Sequence, residues 1–234
     1  MVMLGGVIMN FLSLDVGTTC CKCQLFSETG EILFYRAEEY NLKKIDGETY
    51  VDVDAIHSTI FSLIRDAGKI DEISSIAVSS FGEAFVMLGE NDQTLFYPML
   101  YTDTRGEEQA NNMKKLFDEN YLYNTTGVLP HPMYSISKIL WIKENYPDVF
   151  KKAQKVLLIG DYIGYLLTGE RVIDYALAAR TGVFDIKNIS SAQAHIANPD
   201  RDLYRFSLSD ASDKLNFQRG SVNRKMSSVD VNVS

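Results

Sequence analysis

Cysteine is scarce in this chain, with three residues in 234, all between positions 20 and 23. Three is too few for a disulfide framework, and adjacent residues of a strand point to opposite faces. Cys20, Cys21 and Cys23 therefore read as small residues lining a turn rather than as a metal or redox site. Histidine is as rare. His57 falls on the solvent side of an amphipathic pattern, His131 sits between two prolines and His195 lies in an aperiodic stretch. None has a serine or cysteine near it in nucleophile spacing, which excludes a histidine-based triad. An excess of positive charge is missing too. With 31 acidic against 23 basic residues the formal net charge is -8, so there is no clustered cationic face to displace counterions, and nucleic acid is excluded as the main partner. Long apolar runs are also lacking. The stretch Met1 to Ile8 has no basic flank and gives way to an acidic loop at Asp15, so it does not read as a signal peptide, and Met9 is the expected start. No other stretch is long enough to span a bilayer; the expectation is a cytoplasmic protein with no membrane partner.

The rest, 46% hydrophobic and 23% charged, is ordinary globular material with enough apolar content for a sizeable core. Phe11 to Val16, Cys21 to Phe26 and Ile32 to Glu38 read as three consecutive strands, the last two joined by the turn Ser27-Glu28-Thr29-Gly30, which makes an antiparallel meander. Asp54 is placed to cap a helix whose apolar positions Ile56, Ile60, Phe61, Leu63, Ile64 and Ala67 form one stripe, closed by Gly68. Ile73 to Val78 then reads as a buried strand, and Ala84 to Leu88 and Thr94 to Met99 as two more around a polar turn. Helices follow. Thr104 with Glu107 spells a capping box, Ser135 is placed to cap Ile136 to Tyr146 ahead of the stop at Pro147, and Asp161 to cap a short helix ended by Gly169. Strands, a crossover helix, more strands and a helical run describe an α/β domain with a mixed sheet. From about Asn188 the texture turns serine-rich and aperiodic. Residues 188–234 stay unassigned, and the abrupt change reads as a disordered tail or the product of a frameshift or spurious join.

The chemistry is densest where the first strand ends, in Asp15-Val16-Gly17-Thr18-Thr19, with Lys22 just beyond. A triphosphate is gripped by backbone amides of a tight turn, by hydroxyl donors and by a cation, while a nearby carboxylate holds magnesium through its water shell. Gly17, Thr18, Thr19 and Lys22 supply the first set and Asp15 the last, although Asp-x-Gly-Thr at a strand end also describes ordinary hairpin turns.

Several segments together resemble the N-terminal domain of the FGGY carbohydrate kinases. Asp15 to Lys22 is similar to the family's first phosphate motif, with Cys20 and Cys21 where serines are common. Met133 to Asn145, including Lys138 and Trp141, is similar to its signature helix, and Asp161 to Gly169 and Asp174 to Asp185 to the segments that follow. The resemblance implies an actin-like, ribonuclease-H-like fold, of which this chain carries the first of two domains, over residues 9–187. It also implies ATP and Mg2+ as cofactors and a sugar or polyol as substrate, held by Glu83, Asp103 and Arg105. Carboxylates accept from adjacent sugar hydroxyls and an arginine donates to several, which suits that role. On spacing alone Asp103 and Arg105 also fit a solvated helix start. Trp141 and Lys138 read as structural, a core anchor and a helix-face charge. The family's general-base Asp has no counterpart: Asp200, Asp202, Asp210, Asp213 and Asp230 all lack its setting. The expected function is ATP-dependent phosphorylation of a sugar or polyol by a chain that is not competent alone, and the alternative is a non-catalytic sugar-binding or regulatory remnant. An actin-like or Hsp70-like ATPase would share the phosphate turn but lack the signature helix. The substrate's identity stays open, and an oligomer is possible.

Overall fold

The structure, a computed structural model, describes residues 9–188 and the backbone of residues 190–191. The expectations for Met1 to Ile8, for His195 and for the rest of the tail lie outside the described residues. Two compact units emerge, one of residues 9–41 and 54–80 and one of residues 42–53 and 81–188.

The first unit is a four-stranded mixed sheet with one helix. Strands β1 (Phe11–Val16), β2 (Cys20–Phe26) and β3 (Ile32–Glu39) form the antiparallel meander, and β6 (Ser75–Ser80) returns parallel to β1, giving the order β3-β2-β1-β6. Alternation sets the faces: Leu12, Leu14 and Val16 of β1 and Cys21, Cys23 and Leu25 of β2 are buried, while Asp15 and Lys22, direct cross-strand partners, share the other face. Helix α1 (Val53–Gly68) buries Ile56, Ile60, Leu63 and Ala67, as its apolar stripe requires. Asp54 falls inside its first turn rather than before it. The expectation of a buried strand after α1 is corrected. Strand β6 has β1 as its one neighbour among the described residues, and Ser75, Ala77, Val78 and Ser79 are exposed.

The second unit opens with the hairpin β4 (Lys43–Ile45) and β5 (Glu48–Tyr50), turned by Asp46 at φ 52° and Gly47 at φ 86°. Its three-stranded antiparallel sheet runs β8 (Thr94–Phe96), β7 (Phe85–Leu88), β9 (Lys155–Leu158). Helices α2 (Glu107–Leu116), α3 (Glu119–Thr126), α4 (Ser135–Asn145) and α5 (Pro147–Lys152) precede β9. Helices α6 (Ile159–Thr168) and α7 (Tyr175–Arg180) and the short pair β10 (Phe184–Asp185) and β11 (Ser190–Ser191) follow it. Phe85, Met87, Ile136, Ile139, Ile142, Val156 and Leu158 make the centre of its core. Three caps differ from expectation. Gly106, in the left-handed region at φ 99°, is the N-cap of α2 in place of a capping box, because Thr104 meets the Glu107 N–H with its carbonyl, not its hydroxyl. Tyr134 precedes α4, and Ser135 instead donates its hydroxyl to the Glu83 carbonyl at 2.9 Å. Leu158 precedes α6, and Asp161 stands in that helix's first turn. Among the described residues no helix is long and apolar enough to cross a membrane.

Candidate functional site

In the first unit the β1–β2 turn is tight because Gly17 donates its N–H to the Cys20 carbonyl at 2.8 Å, and a Cβ on Gly17 would come within 3.1 Å of that oxygen. Tyr40, just past β3, pins the turn from both ends. Its N–H donates to the Thr19 carbonyl at 2.9 Å and its hydroxyl to the Gly17 carbonyl. The ring is nearly buried, and burial raises its phenol well above the usual range, with Cys21, Cys20 and Asp15 adding to the effect. The Thr18 and Thr19 amides and hydroxyls donate to no group among the described residues, so four donors are left in a rigid turn. Lys22 Nζ lies 3.7 Å from the Asp15 carboxylate with both side chains more than half exposed, a loose pair that leaves each group able to engage a ligand. The thiols beneath are inert structural groups: burial pushes Cys21 up to about 12 and Cys23 to about 11.

In the second unit each expected substrate carboxylate is paired with an arginine. Asp103 Oδ1 accepts from the Arg105 N–H and Nε, both at 2.9 Å, and Oδ2 accepts from Nε at 3.0 Å and from Nη2. Burial alone would raise the Asp103 carboxyl, but the Arg105 hydrogen bonds and charge outweigh it and hold it below the usual range. Both side chains are 14% exposed, which rules out the solvated helix start. Arg105 is fixed further by Nη1 donating to the Tyr50 hydroxyl at 2.7 Å and by lying 4.7 Å from the Tyr50 ring centre and 5.4 Å from that of Trp141. Trp141 thus sits in the same stack. Glu83 presents a second arrangement. Its Oε1 accepts from Nε and Nη2 of Arg180, whose guanidinium lies 5.1 Å from the Tyr134 ring, whereas Oε2 has no donor among the described residues. The Glu83 backbone is left-handed at φ 47°, in a three-residue turn closed by the Ala84 N–H on the Gly82 carbonyl and held by Ser135. A non-glycine residue there is strained by about 1–3 kcal/mol, and such strain clusters at functional positions.

The helix-face charge expected at Lys138 is also corrected. Lys138 is 1% exposed, and its Nζ donates to the Pro132 carbonyl at 2.9 Å and more weakly to that of Met133 at 3.5 Å.

A model of the N-terminal domain of the FGGY family of carbohydrate kinases matches residues 10–194. The chain belongs to that family. It is 33% identical over 184 residues to the gluconokinase of Bacillus subtilis, covering 76% of this chain and 36% of that one. Among solved structures it is similar to the gluconate kinase of Lactobacillus acidophilus, with TM-score 0.72 and 31% identity over 80% of this chain and 38% of that one. The ligand-bound xylulose kinase from the same organism gives TM-score 0.72 at 28% identity, over 88% of this chain and 46% of that one. The chain thus spans less than half the length of these relatives. The α/β, actin-like domain expected from the sequence is the fold found.

In this FGGY chain the expected residues form two groups, Asp15, Gly17, Thr18, Thr19 and Lys22 in one unit and Glu83, Asp103 and Arg105 in the other. Sequence reasoning missed Tyr40 and Tyr50, and met Tyr134 and Arg180 only as parts of family-like segments, with no contact assigned to them. Each acts through a tertiary contact with a residue 23 to 97 positions away, which no local pattern announces.

Proposed function

We propose that residues 9–187 are the N-terminal domain of an ATP-dependent kinase of sugars or polyols, and that this chain binds the sugar without completing the transfer on its own. The observation that carries the reading is Glu83: a carboxylate 12% exposed, one oxygen clamped by Arg180 and the other without a donor among the described residues, on a strained backbone. A hydroxyl-rich ligand satisfies that oxygen at little cost in ordering, because the carboxylate is already fixed. Asp103, oriented by Arg105, accepts from a second hydroxyl and Arg105 donates to the same ligand. The amides and hydroxyls of Thr18 and Thr19 with the Lys22 ammonium hold phosphate oxygens at the Gly17 turn, and Asp15 orients the water shell of a magnesium ion. ATP with Mg2+ supplies the γ-phosphoryl group that the sugar hydroxyl attacks. The absence of an identifiable base for that hydroxyl is why binding without turnover is expected. Free thiols, two of them buried, fit a reducing, cytoplasmic setting.

Titration calorimetry with D-gluconate, D-xylulose and glycerol, without and then with Mg-ATP, tests this. At least one sugar gives a binding isotherm without nucleotide. Glu83→Gly removes the acceptor while relaxing φ, so it lowers that affinity at least about tenfold with a melting temperature equal to or above that of wild type. A wild type that binds none of the three, or a glycine variant with unchanged affinity, rules the reading out. The same Glu83 geometry serves a purely sugar-binding remnant equally well. Titration with Mg-ATP separates the two: a kinase domain binds the nucleotide at the Gly17 turn, and a purely sugar-binding remnant does not.

A further inference from the structure

We propose that Lys138 is a positioning residue of the sugar site, anchoring the His131–Tyr134 loop through two carbonyls and giving the Glu83 and Asp103 pairs a surplus positive charge. The inference rests on the reading of Glu83 and Asp103 as sugar ligands. A buried lysine is costly, and a neutral side chain of the same length would pack at this position without that cost. The ammonium is nevertheless 1% exposed, on the α4 turn that faces the loop. The loop is tied down residue by residue. Lys138 takes the Pro132 and Met133 carbonyls, Ser137 donates its hydroxyl to the His131 carbonyl at 3.0 Å, and the Met133 N–H donates to His131 Nδ1 at 3.1 Å. That loop delivers Tyr134 and Met133 to the Arg180 guanidinium, which in turn clamps Glu83. Anchoring therefore reaches the sugar ligand through three named contacts.

The two carbonyls occupy two of the three ammonium N–H groups, and no further acceptor for Lys138 stands among the described residues. Charge is what distinguishes the third. Asp103 and Glu83 stabilise the ammonium and Arg105 opposes it. Arg180 neutralises Glu83, Tyr50 contacts Arg105, and Glu48, 60% exposed, lies 3.9 Å from Arg105. Counting the inner groups, two carboxylates meet three cations, and Lys138 is the cation with no carboxylate of its own. Burial lowers its proton affinity to about 8, so the charge is lost just above neutrality, while the neutral amine keeps two N–H groups for the carbonyls.

This gives opposite signs to two measurements. A lysine whose folded value is depressed below 10.5 costs stability while it holds its proton, so the folded state gains as the pH rises through about 8. Affinity for the anionic D-gluconate instead falls over the same range, because the surplus positive charge leaves with the proton. Calorimetry with D-gluconate, D-xylulose and glycerol at pH 7 and pH 9 compares wild type, Lys138→Met and Glu83→Gln, with melting curves alongside. Wild-type affinity for D-gluconate drops about five- to tenfold from pH 7 to pH 9, and its melting temperature gains on that of Lys138→Met. Lys138→Met binds weakly at both values with no pH step, and Glu83→Gln binds weakly but keeps the step. A methionine variant with wild-type affinity and the wild-type pH profile overturns the proposal. Should wild type bind none of the probes, the sugar-site reading fails by itself and amide exchange at His131, Met133 and Tyr134 decides the anchoring. Faster exchange in Lys138→Met upholds it, and unchanged exchange overturns it.

Discussion

At the scale of single residues, the two units hold their charges by different means, and Asp161 is the sharpest case of a charge that is not held. Its side chain is 7% exposed in the first turn of α6, where burial and then the neighbouring Asp174 push the carboxyl up to about 8, against a smaller opposing hydrogen bond with the Leu158 backbone. Leu158 is the N-cap of α6 and Asp161 its third residue, so this is the returning half of a capping box, an N3 acid reaching back to the N-cap backbone. The sign of the pH effect follows from proton counting. Between the ordinary value of 3.8 and about 8 the folded chain keeps a proton that the unfolded chain has released. The contribution is fully present below pH 3.8 and is lost as the pH climbs to about 8. Asparagine retains an acceptor for the Leu158 backbone and cannot ionise. Asp161→Asn therefore melts level with wild type near pH 3.5 and above it at pH 8.5, by an amount on the order of 5 kcal/mol. Carboxylates held low by partners, such as Asp103 with Arg105, destabilise both proteins equally in acid and cancel from the difference. Parallel melting curves at the two pH values would sink the idea.

At the scale of elements, two glycines of the second unit mark what spacing can and cannot convey. Gly106 begins α2 at φ 99°, and a Cβ there would sit 2.8 Å from the Ser137 carbonyl carbon and oxygen and 3.0 Å from the Lys138 nitrogen. Neither backbone can yield, so Gly106→Ala costs about 2–4 kcal/mol in denaturant unfolding. Gly164 lies inside α6 with open space around its Cβ position, and Gly164→Ala stabilises by about 1 kcal/mol through helix propensity. Equal effects of the two substitutions would refute the assignment of Gly106 as a point of close approach. The capping-box reading of Thr104 and Glu107 was legible as a helix start but hid this glycine, because close approach of two backbones is a tertiary fact. The meander, α1 and the end of α6 at Gly169 were legible because local periodicity and turn chemistry decide them. The β4–β5 hairpin carried a strong signal, Asp46-Gly47, that went unused, and with it went Tyr50, the partner of Arg105. Helix α3 and strand β9 carried little signal. The first is polar and aromatic without an apolar stripe, and the second runs as Val156-Leu157-Leu158 directly into Ile159 of α6, an apolar run that fits strand or helix equally. The Gly17 turn was complete in the sequence since it is contiguous. The acid pairs were legible only as acids, their arginine and aromatic clamps being assembled by folding.

Taken whole, the described fold leaves the β6 edge of the first sheet open to other chains. Leu14 of β1 and Val78 of β6 are register partners on one face of the first sheet, yet Leu14 is fully buried and Val78 is 36% exposed. Ile73 to Val78 looked like a buried strand because apolar content reports what a strand can cover, whereas edge or centre is decided by partners from elsewhere in the chain. The outer backbone groups of β6 pair with no strand among the described residues, and the exposed run Ala77-Val78-Ser79 carries no charge or proline to discourage pairing. Natural edges are protected by such residues, and an unprotected one templates another strand. Concentration-dependent association is therefore expected of this chain, visible as a rise in weight-average mass by sedimentation or light scattering. Val78→Lys places a charge on that edge and suppresses the rise at a cost of no more than about 1 kcal/mol in stability, the position being already partly solvated. A wild-type protein that stays monomeric across the accessible concentration range, or a lysine variant that associates just as strongly, would show that the β6 edge is covered and that association, where it occurs, uses another surface.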